Sequence, residues 1–148
     1  MRGSGIELHG RALHPGDAEG QVLHLDTPVS FWGGVDESGR IIDVHHAQCG
    51  ESLTGKVMVM ASGRGSSSST TVLAECIRAG TAPAAIVLAE CDTILVIGAL
   101  VAAELYDVRM PVVQLSRLDL ELLTTPGTAH VWTDPDTLDA TVRVDVAP

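Results

Sequence analysis

Three apolar runs that alternate with helix-patterned segments constrain the fold most. They are Lys56-Val57-Met58-Val59-Met60-Ala61, Ala85-Ile86-Val87-Leu88-Ala89 and Pro111-Val112-Val113-Gln114-Leu115. A short, continuous apolar run bounded by turn residues marks a strand covered on both faces. Between the runs the pattern changes to a helical period. The spacing predicts a helix over about 69–79 stopped by Gly80, and a second from about Asp92, its N-cap, to Tyr106. A short helix is expected over 117–123, ending at Thr124-Thr125-Pro126-Gly127, and closing strands at 128–132 and 141–145. The first third reads as β-structure. Ile6-Glu7-Leu8-His9 and Gln21-Val22-Leu23-His24-Leu25 alternate, and Asp36-Glu37-Ser38-Gly39-Arg40 suggests a hairpin turn into a strand Ile41-Ile42-Asp43-Val44. The expectation is an α/β domain over residues 1–148, built as three layers: sheet, sheet and helix.

Composition narrows the functions. At 148 residues the chain has the size of one domain. The net charge is −10, from 19 acids against 9 bases, with Lys56 as the one lysine. Such a balance argues against nucleic acid and against anionic membrane surfaces, both of which need clustered basic residues. The longest apolar stretch, Ile94 to Ala103, has 10 residues, too short to span a bilayer. The N-terminus lacks a signal-peptide core. Cys49, Cys76 and Cys91, with 26 and 14 residues between them, form neither a disulfide framework nor a metal clamp. Most of them are expected to be small core residues, Cys76 in a helical pattern and Cys91 after an apolar run, in a reducing, cytoplasmic setting.

Against this acidic background one segment carries chemistry. Ser62-Gly63-Arg64-Gly65-Ser66-Ser67-Ser68-Ser69 joins the strand at 56–61 to the helix at 69–79. Two glycines allow a tight turn and a close backbone approach. Free N–H groups and the positive end of the helix dipole favour an anion there, and an arginine adds a bidentate contact to carboxylate or phosphate. The turn is not a P-loop, because no lysine follows the second glycine. Nor is it a nucleophile elbow, because no glycine follows two residues after Ser66. On physical grounds an anion site and a plain serine-capped helix remain equal alternatives.

The residues around this turn form a wider pattern. It comprises Ser30-Phe31-Trp32-Gly33-Gly34-Val35-Asp36, Gly39-Arg40-Ile41-Ile42-Asp43 with His45-His46, and Gly50-Glu51-Ser52-Leu53-Thr54-Gly55-Lys56-Val57. It continues through Gly63-Arg64-Gly65-Ser66, Val72-Leu73-Ala74-Glu75, Gly80-Thr81-Ala82-Pro83-Ala84-Ala85-Ile86 and Gly98-Ala99-Leu100-Val101-Ala102. Over Pro28–Val113 the chain resembles the small subunit, or small swivel domain, of the aconitase X family of hydro-lyases. The resemblance implies a swivelling β/β/α domain, like the C-terminal swivel of aconitase, that closes over a large subunit. It implies iron or an iron–sulfur cluster on that large subunit, none on this chain, and a small carboxylate substrate. It implies Ser66 as the catalytic base, with Arg64, Gly65, Ser67 and Ser68 on the substrate. Family members act on cis-3-hydroxy-L-proline or phosphomevalonate, and the serine run with Ala89-Glu90-Cys91-Asp92 is closer to the former type. Ala47 and Cys91 depart from the family pattern, which often has proline at both.

Three further features stay open at this level. His45-His46 is either a pair split between site and solvent, as on a strand, or two solvated loop residues. Phe31-Trp32 is either an anchor against a partner or an internal plug. The chain itself is an enzyme half, a non-catalytic swivel module, or a freestanding anion-binding protein.

Overall fold

The computed structural model describes residues 5–64, 67–124 and 127–146. Seven strands, β1 (Gly5–His14), β2 (Asp17–His24), β3 (Val57–Met60), β4 (Ala85–Leu88), β5 (Val112–Gln114), β6 (Gly127–Thr133) and β7 (Asp139–Val146), join in the closed order β1-β5-β4-β3-β2-β6-β7. Strands β2, β3, β4 and β5 run parallel to their neighbours in this series. Antiparallel pairing of β1 with β5 and β7, of β6 with β7, and of β2 with β6 completes the barrel. The sheets expected as separate layers are thus joined edge to edge into one closed barrel among the described residues.

The apolar runs explain the parallel wall. Side chains alternate across a strand. In β3 and β4, Val57, Val59, Ala85 and Val87 enter the barrel interior, where Val113, Val131, Val142 and Val144 meet them. Met58, Met60, Ile86 and Leu88 point the other way, into a second cluster with Leu73, Ile77, Leu95 and Ala99 of the covering helices. Both faces are dry, so the run reads as continuously apolar. Strands of the antiparallel wall alternate instead: in β6, Gly127, Ala129 and Val131 are buried and Thr128 is exposed.

The helices follow their signals. Helix α2 (Ser68–Ala79) stops at Gly80, whose φ of 77° is the left-handed conformation glycine takes without strain. Helix α3 (Thr93–Tyr106) starts at Asp92, whose side chain accepts from Leu95 N. Before them lies α1 (Phe31–Gly34), an irregular turn in which Gly33 has φ 80°. After β5, α4 (Arg117–Leu120) is shorter than the expected 117–123, yet its Leu120 and the following Leu123 still fill the barrel core.

The expected strand 41–44 does not form; the segment makes only isolated bridges, Val35 with Ile41 and Arg40 with Ser52. Side chains turn the chain instead. Asp36 Oδ1 accepts from Ser38 N, Ser38 Oγ and Arg40 N, and Asp43 Oδ1 accepts from His45 N. Such local bonds compete with a sheet ladder. No helix among the described residues is long and apolar enough to cross a membrane.

Candidate functional site

The loops that follow β3 and β4 lie side by side because their strands are parallel neighbours, with Met60 opposite Leu88. The first loop carries Gly63 and Arg64 and the second carries Asp92. In α/β sheets, ligands gather at the carboxyl ends of parallel strands. Two bonds tie the loops together: Ala89 N and Glu90 N both donate to Ala61 O, each at 3.0 Å. Farther along, Gln114 Nε2 donates to Ala89 O, and Arg117 pairs with Glu90 at 2.8 Å.

Of the residues expected at the site, Arg64 is exposed and makes no ion pair with another described residue. Its guanidinium is available to an anion. Gly65 and Ser66 lie outside the described residues. Ser67, at the N-cap position of α2, is exposed, has αR geometry (φ −58°, ψ −21°) and makes no side-chain cap bond. Ser68 is half-buried. Ser69 differs from both. It is 2% exposed, its Oγ accepts from Trp32 N at 3.2 Å and it lies 3.4 Å from Ser30 Oγ. That hydroxyl ties α1 to the first turn of α2 and is spent inside the protein.

The aromatic pair divides between the two roles. Phe31 is buried in the helix-side core, whereas Trp32 is 60% exposed, on a turn held to α2 through Ser69. The histidines also divide, but in a loop rather than on a strand. His45 is exposed. His46 is buried, with Nε2 2.8 Å from Thr27 O and Nδ1 accepting from Gln48 N at 3.0 Å. This makes His46 a loop brace, with its proton on Nε2.

The cysteine expectation needs correction. Cys76 is buried, and burial raises its thiol pKa above the usual range. Cys49 and Cys91 are exposed. They sit in the 45–50 turn and at the end of the β4 loop, where the chain leaves the core. Among the described residues, no group of three or more His, Cys, Asp or Glu is arranged to hold a metal ion.

Asp92 is the residue whose second contact sequence reasoning missed. Oδ1 caps α3, and the rest of the carboxylate lies against Gly63: a Cβ on Gly63 would run into Oδ2 and Cγ of Asp92 and stand 2.9 Å from its Cβ. The sequence showed the acidic cap but not its nearness to Gly63, which the parallel pairing of β3 and β4 sets. A separate groove of about 610 Å³ on the antiparallel wall is lined by His9, Trp132, Thr133 and Asp134, among others, and takes in no residue of this turn.

A glycine–arginine turn between a parallel strand and a helix, on a closed mixed barrel, defines an α/β domain. The model of the aconitase X swivel domain matches residues 7–139, and the chain belongs to that family. It is 44% identical over 117 residues to a cis-3-hydroxy-L-proline dehydratase of Pseudomonas aeruginosa, covering 78% of this chain and 20% of that protein. It is 48% identical over 81 residues to the phosphomevalonate dehydratase small subunit of Methanopyrus kandleri, covering 54% of this chain and 60% of that one. The fold matches the crystal structure of Thermococcus kodakaraensis aconitase X in its holo form, with a TM-score of 0.77 and 30% identity, covering 93% of this chain and 98% of that chain. The chain therefore spans about a fifth of the length of the Pseudomonas dehydratase.

Proposed function

We propose that this chain is the small part of a two-part, iron-dependent hydro-lyase that dehydrates a hydroxy acid. The observation that carries this most is the Gly63-Arg64 turn, which leaves a guanidinium exposed and without an ion pair to another described residue at the carboxyl end of β3, within the family-matched region. Relatives named as dehydratases support the reaction class. The higher coverage of this chain by the Pseudomonas relative favours cis-3-hydroxy-L-proline as substrate. Phosphomevalonate is the second reading, favoured by the shorter but 48% identical match to an archaeal small subunit.

The chemistry divides between the parts. Dehydration removes a proton α to a carboxylate and expels a β-hydroxide. An iron centre on the large part would supply Lewis acidity for the leaving hydroxyl. On this chain, Arg64 would hold the substrate carboxylate in a charge-assisted, bidentate contact. Ser66 would take the α-proton. A hydroxyl is a weak base at its ordinary pKa and needs adjacent positive charge, for which Arg64 and the N-terminus of α2 are the local sources. A positioned base contributes about 10²–10⁴-fold in rate. Gly65 would let the backbone approach the substrate, and Ser67 and Ser68 stand on the same turn.

The exposed apolar residues suit a domain that is covered in use. Trp32, Ile42 and Val44 lie on the segment bound to α2, and Ile97 and Leu100 lie on the outside of α3. Free thiols fit a reducing, cytoplasmic setting. The test is co-expression with a cysteine-bearing large subunit and assay on both substrates. The complex is expected to turn over cis-3-hydroxy-L-proline, and this chain alone neither substrate. Ser66→Ala is expected to lose most turnover while the complex still forms. Near-wild-type turnover would remove Ser66 as base, and a partner without iron would favour a non-catalytic swivel module.

A further inference from the structure

We propose that Asp92 is a positioning residue of the site: one oxygen caps α3 while the other wedges against Gly63 and so sets the course of the chain that carries Arg64. The assignment rests on the reading of the Gly63-Arg64 turn as the substrate-facing loop.

Three observations converge on it. The wedge is anchored, because Oδ1 accepts from Leu95 N at 3.1 Å and Leu95 is 3% exposed in the core between the sheet and the helices. Asp92 is thus tied to the first turn of α3. The wedge also fills the space it faces, since Gly63 has no room for a side chain beyond its hydrogen. Gly63 does not take a positive φ, so its need for glycine here comes from the approach of the carboxylate and not from backbone conformation. Finally, the same two loops are joined at their strand end by the paired bonds from Ala89 N and Glu90 N to Ala61 O. The turn is held at its base by backbone bonds and at its shoulder by Asp92, immediately before Arg64. A guanidinium on a long side chain is aimed only as well as the backbone beneath it is placed, and misplacement by about 1 Å can cost about 10²-fold in rate.

Capping and wedging can be separated chemically. Serine caps a helix about as well as aspartate but lacks the Oδ2 that lies nearest Gly63, so Asp92→Ser keeps the first role and weakens the second. Gly63→Ala overfills the contact from the other side. In the two-part complex, Asp92→Ser is expected to raise KM about tenfold with a smaller change in kcat, at a melting temperature near wild type. Gly63→Ala is expected to be impaired alone, and its combination with Asp92→Ser to be less impaired than the product of the two single effects, because the serine removes Oδ2, the atom that the alanine methyl would meet first. An unchanged KM in Asp92→Ser, or effects of the two substitutions that simply multiply, would overturn the assignment. If the wild-type complex turns over neither substrate, the dehydratase reading is what has failed. The wedge is then judged on this chain alone by amide hydrogen exchange at Gly63 and Arg64, expected to be faster in Asp92→Ser and contradicted by equal rates.

Discussion

The carboxylate of Asp36 takes bonds from Ser38 N, Ser38 Oγ and Arg40 N, and Ser38 Oγ contributes most to holding its pKa below the ordinary 3.8. A lowered folded-state pKa means the ionised form stabilises the fold. That contribution is complete above the unfolded carboxylate range and is lost as pH falls through the lowered folded value. Asp36→Ala should therefore melt below wild type at pH 6, and the gap should narrow as pH drops below about 4; thermal melts across that range measure it. The same turn needs Gly39, which has φ 80° and a Cβ position that would collide with Thr81 O. Residue types alone announced a turn here. They did not announce that the strand at 41–44 would give way to a turn in which Asp43 Oδ1 accepts from His45 N. Ser69 carries a similar lesson. Four consecutive serines are alike in sequence, and the approach of α1 accounts for the burial of Ser69.

Helices α2 and α3 lie directly against each other, and Gly98 is where they touch. A Cβ there would stand 3.1 Å from Leu73 Cδ2 and 3.2 Å from Thr70 O. Thr70 Oγ1 adds a bond across the contact to Ile94 O at 2.9 Å. Gly98→Val would force the helices apart at a crossing already at contact distance. Overpacking of this kind costs about 1–3 kcal/mol, so its denaturant midpoint should fall by a corresponding amount, and an unchanged midpoint would show the helices free to separate. The elements themselves were legible. The starts and stops of α2 and α3 follow from Gly80, Asp92 and the helical period, and β3, β4 and β5 from their apolar runs. Proximity was not. Asp92 was legible as a cap, and its contact with Gly63 arises from the parallel register of β3 and β4, which no local pattern encodes.

Across the whole molecule, two apolar clusters share the parallel strands as a common wall. Met58 lies on the helix side and Leu123 inside the barrel, and both are fully buried. Met58→Ala and Leu123→Ala should each cost about 2–5 kcal/mol. Because every parallel strand serves both clusters, each substitution should shift one common unfolding transition seen by far-ultraviolet circular dichroism; two separate transitions would mean the clusters fold independently. The sequence by itself determined the strand–helix alternation, the double-faced burial of the central strands and the identity of the glycine–arginine turn. Each of these is written in local periodicity or in a local motif. Tertiary structure decided that the sheets close into one barrel, which serine turns inward, that Phe31 plugs the core while Trp32 faces out, and that Asp92 meets Gly63. The physical reason is the same in each case. Those outcomes depend on contacts between residues distant in sequence, set by strand register and helix approach, and periodicity carries no record of them.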